Sequence, residues 1–168
     1  AEEFPPLPVF AQNRTVVIPQ DKLKGMLRKT SFAVSTDESR FVLNGIYISL
    51  KENKLILVAT DGRRLALCEE EFEISADNQA DFILPTKAIN ELTRLLQGGG
   101  NVEVKFTENQ ASFATKPTTE GAVSAILVTK LVDGVYPNYR QVIPAEPLER
   151  VPLNREEFLK SLRLAEIM

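Results

Sequence analysis

The chain has 168 residues, of which 43% are hydrophobic and 26% charged, a composition typical of a globular domain with a substantial core. Histidine is absent, which excludes imidazole general bases, serine or cysteine nucleophiles paired with histidine, and most zinc sites. The net charge of −3 argues against a uniformly basic nucleic-acid-binding domain, and the single cysteine, Cys68, cannot form an internal disulfide.

Three segments share one pattern, in which a short apolar run precedes a helix-starting residue and apolar positions at helical spacing. Pro19 and Pro85 suit the first turn of a helix, where a missing backbone N–H costs nothing. Asn154 suits an N-cap, with Glu157 as its capping-box partner. Pro19, Pro85 and Asn154 are 66 and 69 residues apart, which indicates repeats of similar size. The segments are VVIPQDKLKGML (16–27), FILPTKAINELTRLL (82–96) and VPLNREEFLKSLRL (151–164).

The pattern predicts helices over roughly 20–34 and 86–97, and a third helix that begins after Asn154. Each helix carries an apolar stripe suited to packing on a sheet, and the third helix is expected to lack the sheet that it should cover. The third helix opens a further repeat, whose strands are expected to follow Met168. The three stripes are Leu23, Met26 and Leu27; Ile89, Leu92 and Leu96; and Phe158, Leu162 and Ala165.

Runs in which Val, Ile and Phe alternate with polar residues follow each of the first two helices, as in half-buried antiparallel strands. Turn pairs separate these runs, among them Glu52-Asn53 and Asp61-Gly62. Each repeat is therefore predicted to be strand–helix–strand–strand–strand, and two repeats span 14–147. The expected fold class is α+β, with the helices on one face of antiparallel sheets. The predicted runs are FVLNGIYISL, KLILVAT, RRLALCEEEFEI, NVEVKF, QASFAT and AVSAILVTKL.

Charge is unevenly distributed along the chain. The first two predicted helices together carry a net charge of +4, while acidic residues collect mainly between positions 69 and 81. If both helices lie on one face, that face is basic and suits contact with phosphates without base reading. The alternative is an ordinary solvated helix surface. The candidate phosphate-contacting residues are Lys22, Lys24, Arg28, Lys29, Lys87 and Arg94.

The stretch ATDGRRLAL, residues 59–67, predicts a β-hairpin turn in which Asp61-Gly62 supplies two positive φ angles. A turn does not by itself require two arginines beside Leu65. A guanidinium next to an apolar side chain also suits a pocket that binds a peptide through polar and apolar anchors. The residues alone leave both interpretations open.

Three motifs resemble the middle domain of the bacterial DNA polymerase III beta subunit family, the sliding clamps. They are KTSFAVSTDESRFVLNG (29–45), LVATDGRRLAL (57–67) and KLVDGVYPNYRQVIP (130–144), in the family's order. The resemblance implies a DNA-clamp fold divided into three segments. Residues 1–13 would link to a preceding clamp domain, 14–147 would form the middle domain, and 148–168 would hold a linker and the first helix of a truncated third domain.

The resemblance also implies a function. Family members form a ring of two subunits, each with three domains, around duplex DNA, and helices line the hole. The ring has no catalytic activity and no cofactor or metal. It tethers the DNA polymerase III alpha and clamp-loader subunits and other replication and repair proteins, which raises their effective concentration at the template. The implied location is the bacterial cytoplasm, and no apolar run approaches the roughly 20 residues of a membrane span.

In the family, partner proteins insert a short linear motif into a hydrophobic pocket between the middle and third domains, so this chain is expected to carry part of that pocket. Position 63 is often histidine in the family and position 141 can be arginine, whereas this chain has Arg63 and Gln141. Both departures bear on pocket charge and partner preference. The residues that match the family's pocket are Leu43, Thr60, Gly62, Arg63, Arg64, Leu65, Pro137, Gln141 and Val142.

Two rival functions belong to other classes. A free-standing peptide-binding module unrelated to DNA would show no salt-sensitive association with DNA. An enzyme that acts on an anionic substrate through Arg63, Arg64 and the acidic run is disfavoured, because the chain has no histidine and no nucleophile–base pair.

Overall fold

A computed structural model describes residues 14–115, 124–146 and 148–167. The chain divides into two compact units, Ala1–Pro137 and Asn138–Met168. The predicted linker over 1–13 lies outside the described residues, as do Pro147 and Met168 at two of the predicted boundaries. The proposed division into clamp segments therefore stays a prediction.

The first unit contains two strand–helix–strand–strand–strand repeats, as predicted. The first helix ends at Thr30 and the second at Leu95, a few residues earlier than the pattern predicts, and Ser31–Ala33 form a 3₁₀ turn instead. In chain order the elements are β1 (Arg14–Pro19), α1 (Gln20–Thr30), β2 (Gly45–Lys51), β3 (Lys54–Thr60), β4 (Leu65–Glu71), β5 (Ala80–Pro85), α2 (Thr86–Leu95), β6 (Asn101–Phe106), β7 (Gln110–Thr115) and β8 (Ala125–Lys130).

The strands form two four-stranded antiparallel sheets, ordered β1–β6–β7–β8 and β4–β3–β2–β5. Each sheet takes three strands from one repeat and the first strand of the other. Ile18 of β1 lies opposite Val102 of β6, and Ile48 of β2 lies opposite Phe82 of β5. This exchange of first strands ties the two repeats into one folding unit.

The core lies between the helices and one face of each sheet. The predicted stripes Leu23–Met26–Leu27 and Ile89–Leu92–Leu96 are all buried. They pack against alternate residues of the strands, including Ile48, Leu57 and Phe113, because successive strand side chains point to opposite faces. The two helices contact each other. In addition, α1 lies against β3 and β4, and α2 lies against β2, β5 and β8.

The other residues of β2–β5 point away from the helices. Tyr47, Val58 and Leu65 therefore share the opposite face of the sheet β4–β3–β2–β5. The chain after β8 returns to this sheet: Val132 N donates to Ile83 O at 3.0 Å, and the Tyr136 ring stacks on Tyr47 with centroids 5.1 Å apart.

Both turns join the strands of a predicted hairpin, but the backbone conformation expected at the second turn is wrong. Glu52 and Asn53, with φ of 54° and 56°, form the two-residue turn between β2 and β3. In the Asp61-Gly62 pair, Gly62 alone has a positive φ, 86°. The connection there is a four-residue loop, 61–64, because the Asp61 carboxylate accepts hydrogen bonds from two amides further along the loop.

The second unit contains α3 (Arg155–Glu166). Asn154 is its N-cap, as predicted, and the Asn154 Oδ1 accepts from the amides of Glu156 and Glu157 at 3.0 and 3.2 Å. The predicted stripe of this helix is exposed in the described structure, with Phe158 at 50% and Leu162 at 51%. Among the described residues no helix combines the length and apolar character needed to cross a bilayer.

Candidate functional site

Six cations lie on α1 and α2, on the side turned away from the core. We call this side the helix face. Because the two helices touch each other and bury the opposite stripe, their charged residues share one layer of the first unit. Lys22 and Lys24 are half-buried and the other four are exposed. The residues of the helix face are the predicted set Lys22, Lys24, Arg28, Lys29, Lys87 and Arg94.

Two of these six cations have acidic partners. Lys22 Nζ lies 3.6 Å from Glu70 Oε2, and Arg94 Nη1 donates to Glu91 Oε1 at 3.0 Å. The remaining four, Lys24, Arg28, Lys29 and Lys87, make no hydrogen bond or ion pair with any residue in the described ranges. Such solvated cations can contact phosphates without reading bases.

The acidic run between 69 and 81 is partly compensated by lysines of the neighbouring strands. Lys54 Nζ donates to Glu69 Oε1 at 2.6 Å, and Lys51 pairs with Asp81. Within the described residues no three Asp, Glu, Cys or His side chains are arranged to hold a metal ion. Cys68 is buried in the core.

The loop after β3 is fixed by its own polar groups. Asp61 Oδ1 accepts from the amides of Arg63 and Arg64 at 2.9 and 3.0 Å, and Asp61 Oδ2 accepts from Arg64 Nε at 3.0 Å. Thr60 Oγ1 donates to the Arg64 carbonyl at 2.8 Å and accepts from Gly62 N at 3.0 Å. These amide hydrogen bonds, the one from Arg63 first, lower the pKa of Asp61 below its ordinary value.

Two side chains from the segment before β2 border this loop. The Arg64 guanidinium carbon lies 5.8 Å from the ring centroid of Phe32, which is 59% exposed. Arg40 Nη1 fills the space beside Gly62, where an added Cβ would come within 2.8 Å of it. A side chain at position 62 would therefore clash and would also be strained at a φ of 86°.

Residues 134–137 reach the same region. Tyr136 is buried, and its hydroxyl has no partner within hydrogen-bond geometry among the described residues. Burial raises the pKa of Tyr136 to about 12, and the nearby Thr60 backbone opposes this rise in part. A Cβ on Gly134 would lie 2.7 Å from Val42 Cγ1. We call Phe32, residues 40–43, residues 60–65 and residues 134–137 together the loop surface.

The structure brings most of the predicted pocket residues into the three segments of the loop surface. Leu43 is buried, Leu65 is half-buried, and Pro137, which follows Tyr136, is exposed. Gln141 and Val142 lie in the second compact unit, where both are exposed. The members of the loop surface among the predicted residues are Leu43, Thr60, Gly62, Arg63, Arg64, Leu65 and Pro137.

Sequence reasoning missed four residues of this surface: Phe32, Arg40, Asp61 and Tyr136. Asp61 was assigned only to the turn, although an aspartate two residues before a pair of backbone amides is a known loop-holding arrangement. Phe32 and Arg40 gave no periodic signal, because they lie in short 3₁₀ turns between α1 and β2. The stacking of Tyr136 on Tyr47 is a long-range contact that local sequence patterns do not indicate.

Comparison with known proteins identifies related chains. The family model described as "DNA polymerase III beta subunit, central domain" matches residues 17–138. The beta sliding clamp of Bacillus subtilis is 32% identical over 169 residues, covering 100% of this chain and 43% of the relative. The clamp of Chlamydia pneumoniae is 32% identical over 162 residues, which cover 96% of this chain and 42% of that relative.

Solved structures give the same result. The crystal structure of the Bacillus subtilis DNA polymerase sliding clamp matches with a TM-score of 0.86 and 32% identity, over 98% of this chain and 42% of that one. The Bartonella birtlesii sliding clamp, solved bound to griselimycin, matches with a TM-score of 0.77 and 34% identity, over 95% of this chain and 42% of that one. The chain thus spans less than half the length of these relatives.

Proposed function

Because this chain belongs to the DNA polymerase III beta subunit family, we propose that it is the central part of a sliding clamp that encircles duplex DNA and tethers proteins to it. In this proposal residues 14–147 form the middle clamp domain, 148–168 hold a linker and the first helix of the third, and 1–13 link to the first. Two full-length subunits would close the ring, which would act in the bacterial cytoplasm as a non-catalytic processivity factor.

The helix face is the observation that supports the proposed binding to DNA. Four of its cations have no described partner, and they belong to two adjacent helices in a chain whose net charge is negative. Mobile lysine and arginine side chains neutralise phosphates by releasing counterions and carry no sequence information. A surface of this kind suits a protein that slides.

Duplex binding by the 168-residue chain at low salt tests this part. Replacing Arg28 and Lys29 with glutamine should weaken binding about tenfold and reduce the salt dependence by roughly two counterions, since each lost phosphate contact lowers the slope by about 0.9. Lys130→Gln, which removes an exposed cation from β8 outside the helix face, is the matched control and should change affinity little. Equal losses in both variants would contradict the assignment.

The peptide-binding part rests on the loop surface. Half-buried Leu65 and exposed Pro137 offer apolar contacts, and the guanidinium of Arg64 and the hydroxyl of Thr60 are polar groups of the loop that leads into Leu65. Apolar anchors flanked by a few fixed polar groups are what short linear peptides bind. The proposed pocket includes Gln141 and Val142 and would be completed by the third domain, so this chain alone should bind peptides weakly.

Leu65→Ala tests the pocket. Removing this side chain should weaken binding of an apolar clamp-binding peptide about fivefold, because buried apolar anchors dominate such contacts. Lys130→Gln again serves as a control that should leave affinity unchanged. Equal affinity for the wild-type chain and Leu65→Ala would count against the pocket.

The proposal that full-length subunits close into a ring leads to a separate prediction for the isolated 168-residue chain. A piece that lacks the other clamp domains cannot close around DNA, so it should dissociate from circular duplex DNA as fast as from linear DNA. Retention on circular DNA that is lost on linearisation would overturn this. The rival, a peptide-binding module that does not act on DNA, predicts that the helix-face variants leave duplex binding unchanged.

A further inference from the structure

A cleft of about 540 Å³ lies along the free edge of β5, and we call it the edge cleft. Its walls are β5, the turn 107–109 between β6 and β7, and the segment that follows β8. Of its lining residues, 134–136 also belong to the loop surface. We propose that the edge cleft binds an extended, arginine-bearing segment of a partner protein. The lining residues that carry the argument are Tyr47, Asp81, Phe82, Glu108, Asp133 and Tyr136.

The walls of the edge cleft are fixed by main-chain hydrogen bonds. Val132 N donates to Ile83 O at 3.0 Å, which joins the segment after β8 to β5. Leu131 N donates to Asn109 O at 2.9 Å, which joins the same segment to the turn 107–109. Because these walls are already held in place, little conformational entropy is lost when a ligand enters between them.

The lining of the edge cleft is acidic. Glu108 and Asp133 are exposed, and their carboxylates make no hydrogen bond or ion pair with any residue in the described ranges. The Asp81 carboxylate is already engaged, because it accepts from Ser49 Oγ at 2.7 Å and pairs with Lys51. No lysine or arginine is among the described residues that line the cleft. The lining therefore offers two uncompensated carboxylates to a cationic ligand.

Aromatic side chains line the same cleft and give it an apolar surface. The rings of Tyr47 and Tyr136 stack with centroids 5.1 Å apart, and Phe82 is buried. A guanidinium is planar and weakly hydrated, so it can lie against an aromatic ring while its N–H groups donate to a carboxylate. The ammonium group of lysine is compact and more strongly hydrated, which makes it the poorer fit. The lining thus favours arginine.

The open edge of β5 indicates that the rest of the ligand is an extended main chain. Because Val132 N donates to Ile83 O, the main-chain groups of Ile83 point away from β2. Those of Asp81, two residues earlier in the strand, point the same way and make no hydrogen bond with the described residues. A peptide residue beside Asp81 can pair with both its N–H and its C=O, as in β-strand addition.

Two other cationic ligands fit the edge cleft less well. A metal ion needs several ligands around one point, and no three acidic side chains in the described part of the chain are so arranged. A polyamine has the required charge but no peptide group to pair with the main chain of Asp81. A peptide segment satisfies both the carboxylates and the strand edge.

Two blocked peptides provide the test. One alternates valine and arginine, and its twin has glutamine in place of each arginine. Titrated against the 168-residue chain at low salt, the arginine peptide should bind about fivefold more tightly, the scale of two exposed ion pairs. The double variant Glu108→Gln/Asp133→Asn should bring this preference close to one and leave the glutamine peptide's affinity unchanged. Glu52→Gln, which removes an exposed carboxylate in the β2–β3 turn outside the cleft, should keep the preference.

Amide NMR of the same titration locates the bound peptide. The arginine peptide should shift the amides of Asp81 and residues 131–135. It should also slow hydrogen exchange at the Asp81 amide, because that N–H gains an acceptor. Leu65→Ala should leave the arginine peptide's affinity unchanged, whereas the same substitution should weaken an apolar peptide bound at the proposed pocket. Failure at one site is therefore distinguishable from failure at the other.

Four results would overturn the inference. A preference for arginine that survives the double variant would place the contacts elsewhere, for example on the acidic residues of β4. Weaker binding of the arginine peptide to Leu65→Ala would place it on the loop surface. Spermidine that shifts the same amides with equal affinity would show that positive charge alone is sufficient. Unchanged hydrogen exchange at the Asp81 amide with saturating peptide would contradict the strand pairing.

Discussion

The helix face and the loop surface both carry cations, but they are built from different elements: α1 and α2 form the first, whereas the second consists of connecting segments and the ends of β3 and β4. On the helix face, Arg28 and Lys29 extend into solvent without a described partner. On the loop surface, Arg40 and Arg64 are held at Nε by the carboxylates of Asp37 and Asp61. The same residue type thus has two physical roles. Mobile cations can follow any phosphate spacing, whereas positioned guanidiniums present donors at fixed places.

The two surfaces also differ in how deeply their apolar residues are buried, and the largest predicted loss of stability follows from this difference. Leu92 on α2 is fully buried in the core, so Leu92→Ala should destabilise the fold by about 2–5 kcal/mol. Leu65 is only half-buried, so Leu65→Ala should cost about 1 kcal/mol or less. Denaturant unfolding of both variants measures the difference. Similar losses would mean that the loop surface belongs to the core and is not a free binding surface.

Removing the carboxylate that holds the loop should affect one side only. Asp61→Ala leaves the amides of Arg63 and Arg64 without their acceptor, so their hydrogen exchange should accelerate and peptide binding should weaken about threefold, roughly the loss of one or two weak hydrogen bonds. Duplex binding should stay unchanged. The matched variant Asp37→Ala should loosen residues 38–40 instead. A change in duplex affinity with Asp61→Ala would mean that the two sides are coupled.

Acid should loosen the same loop at a predictable pH. The folded-state pKa of Asp61 lies below the ordinary value of 3.8, because its carboxylate accepts from the Arg63 and Arg64 amides. Its contribution to stability is therefore complete well above pH 3.8 and is lost as pH falls through the lowered pKa. The amide shifts of Arg63 and Arg64 should titrate with a midpoint below 3.8. A midpoint at or above that value would contradict the hydrogen-bonding pattern.

The smallest effect is expected at Tyr136. Its buried hydroxyl has no partner within hydrogen-bond geometry among the described residues, so Tyr136→Phe should change stability by less than about 1 kcal/mol and keep the stacking on Tyr47. In the wild-type chain, tyrosinate absorbance from this residue should appear only near pH 12. A large loss of stability in Tyr136→Phe would show that the hydroxyl has a partner that holds residues 134–137 in place.

The sequence allowed the helices, the repeats and the buried stripes of α1 and α2 to be predicted, because these depend on local spacing. The exchange of first strands was not predictable, since pairing of Ile18 with Val102 joins residues far apart in the chain. The same reasoning failed at Asp61, whose side chain sets a longer loop than the Asp-Gly pair implies.

The candidate site was predictable only where a motif contained it. Thr60–Leu65 lie in one continuous stretch, so the resemblance could place them together. Phe32 and Tyr136 reach this stretch through tertiary contacts that no spacing rule reports. The positions of the helix-face cations followed from helical periodicity alone, because a buried stripe fixes the opposite side of the same helix.

The central claim is that one domain presents two independent binding sides, one for duplex DNA and one for a peptide. Titrating the isotopically labelled 168-residue chain with a short duplex and with an apolar clamp-binding peptide, separately and together, tests it most directly. The account predicts that the duplex shifts amides of α1 and α2, that the peptide shifts residues 60–65 and 134–137, and that neither ligand changes the affinity for the other by more than about twofold, a coupling of roughly 0.4 kcal/mol. Competition between the two ligands for the same residues would contradict it.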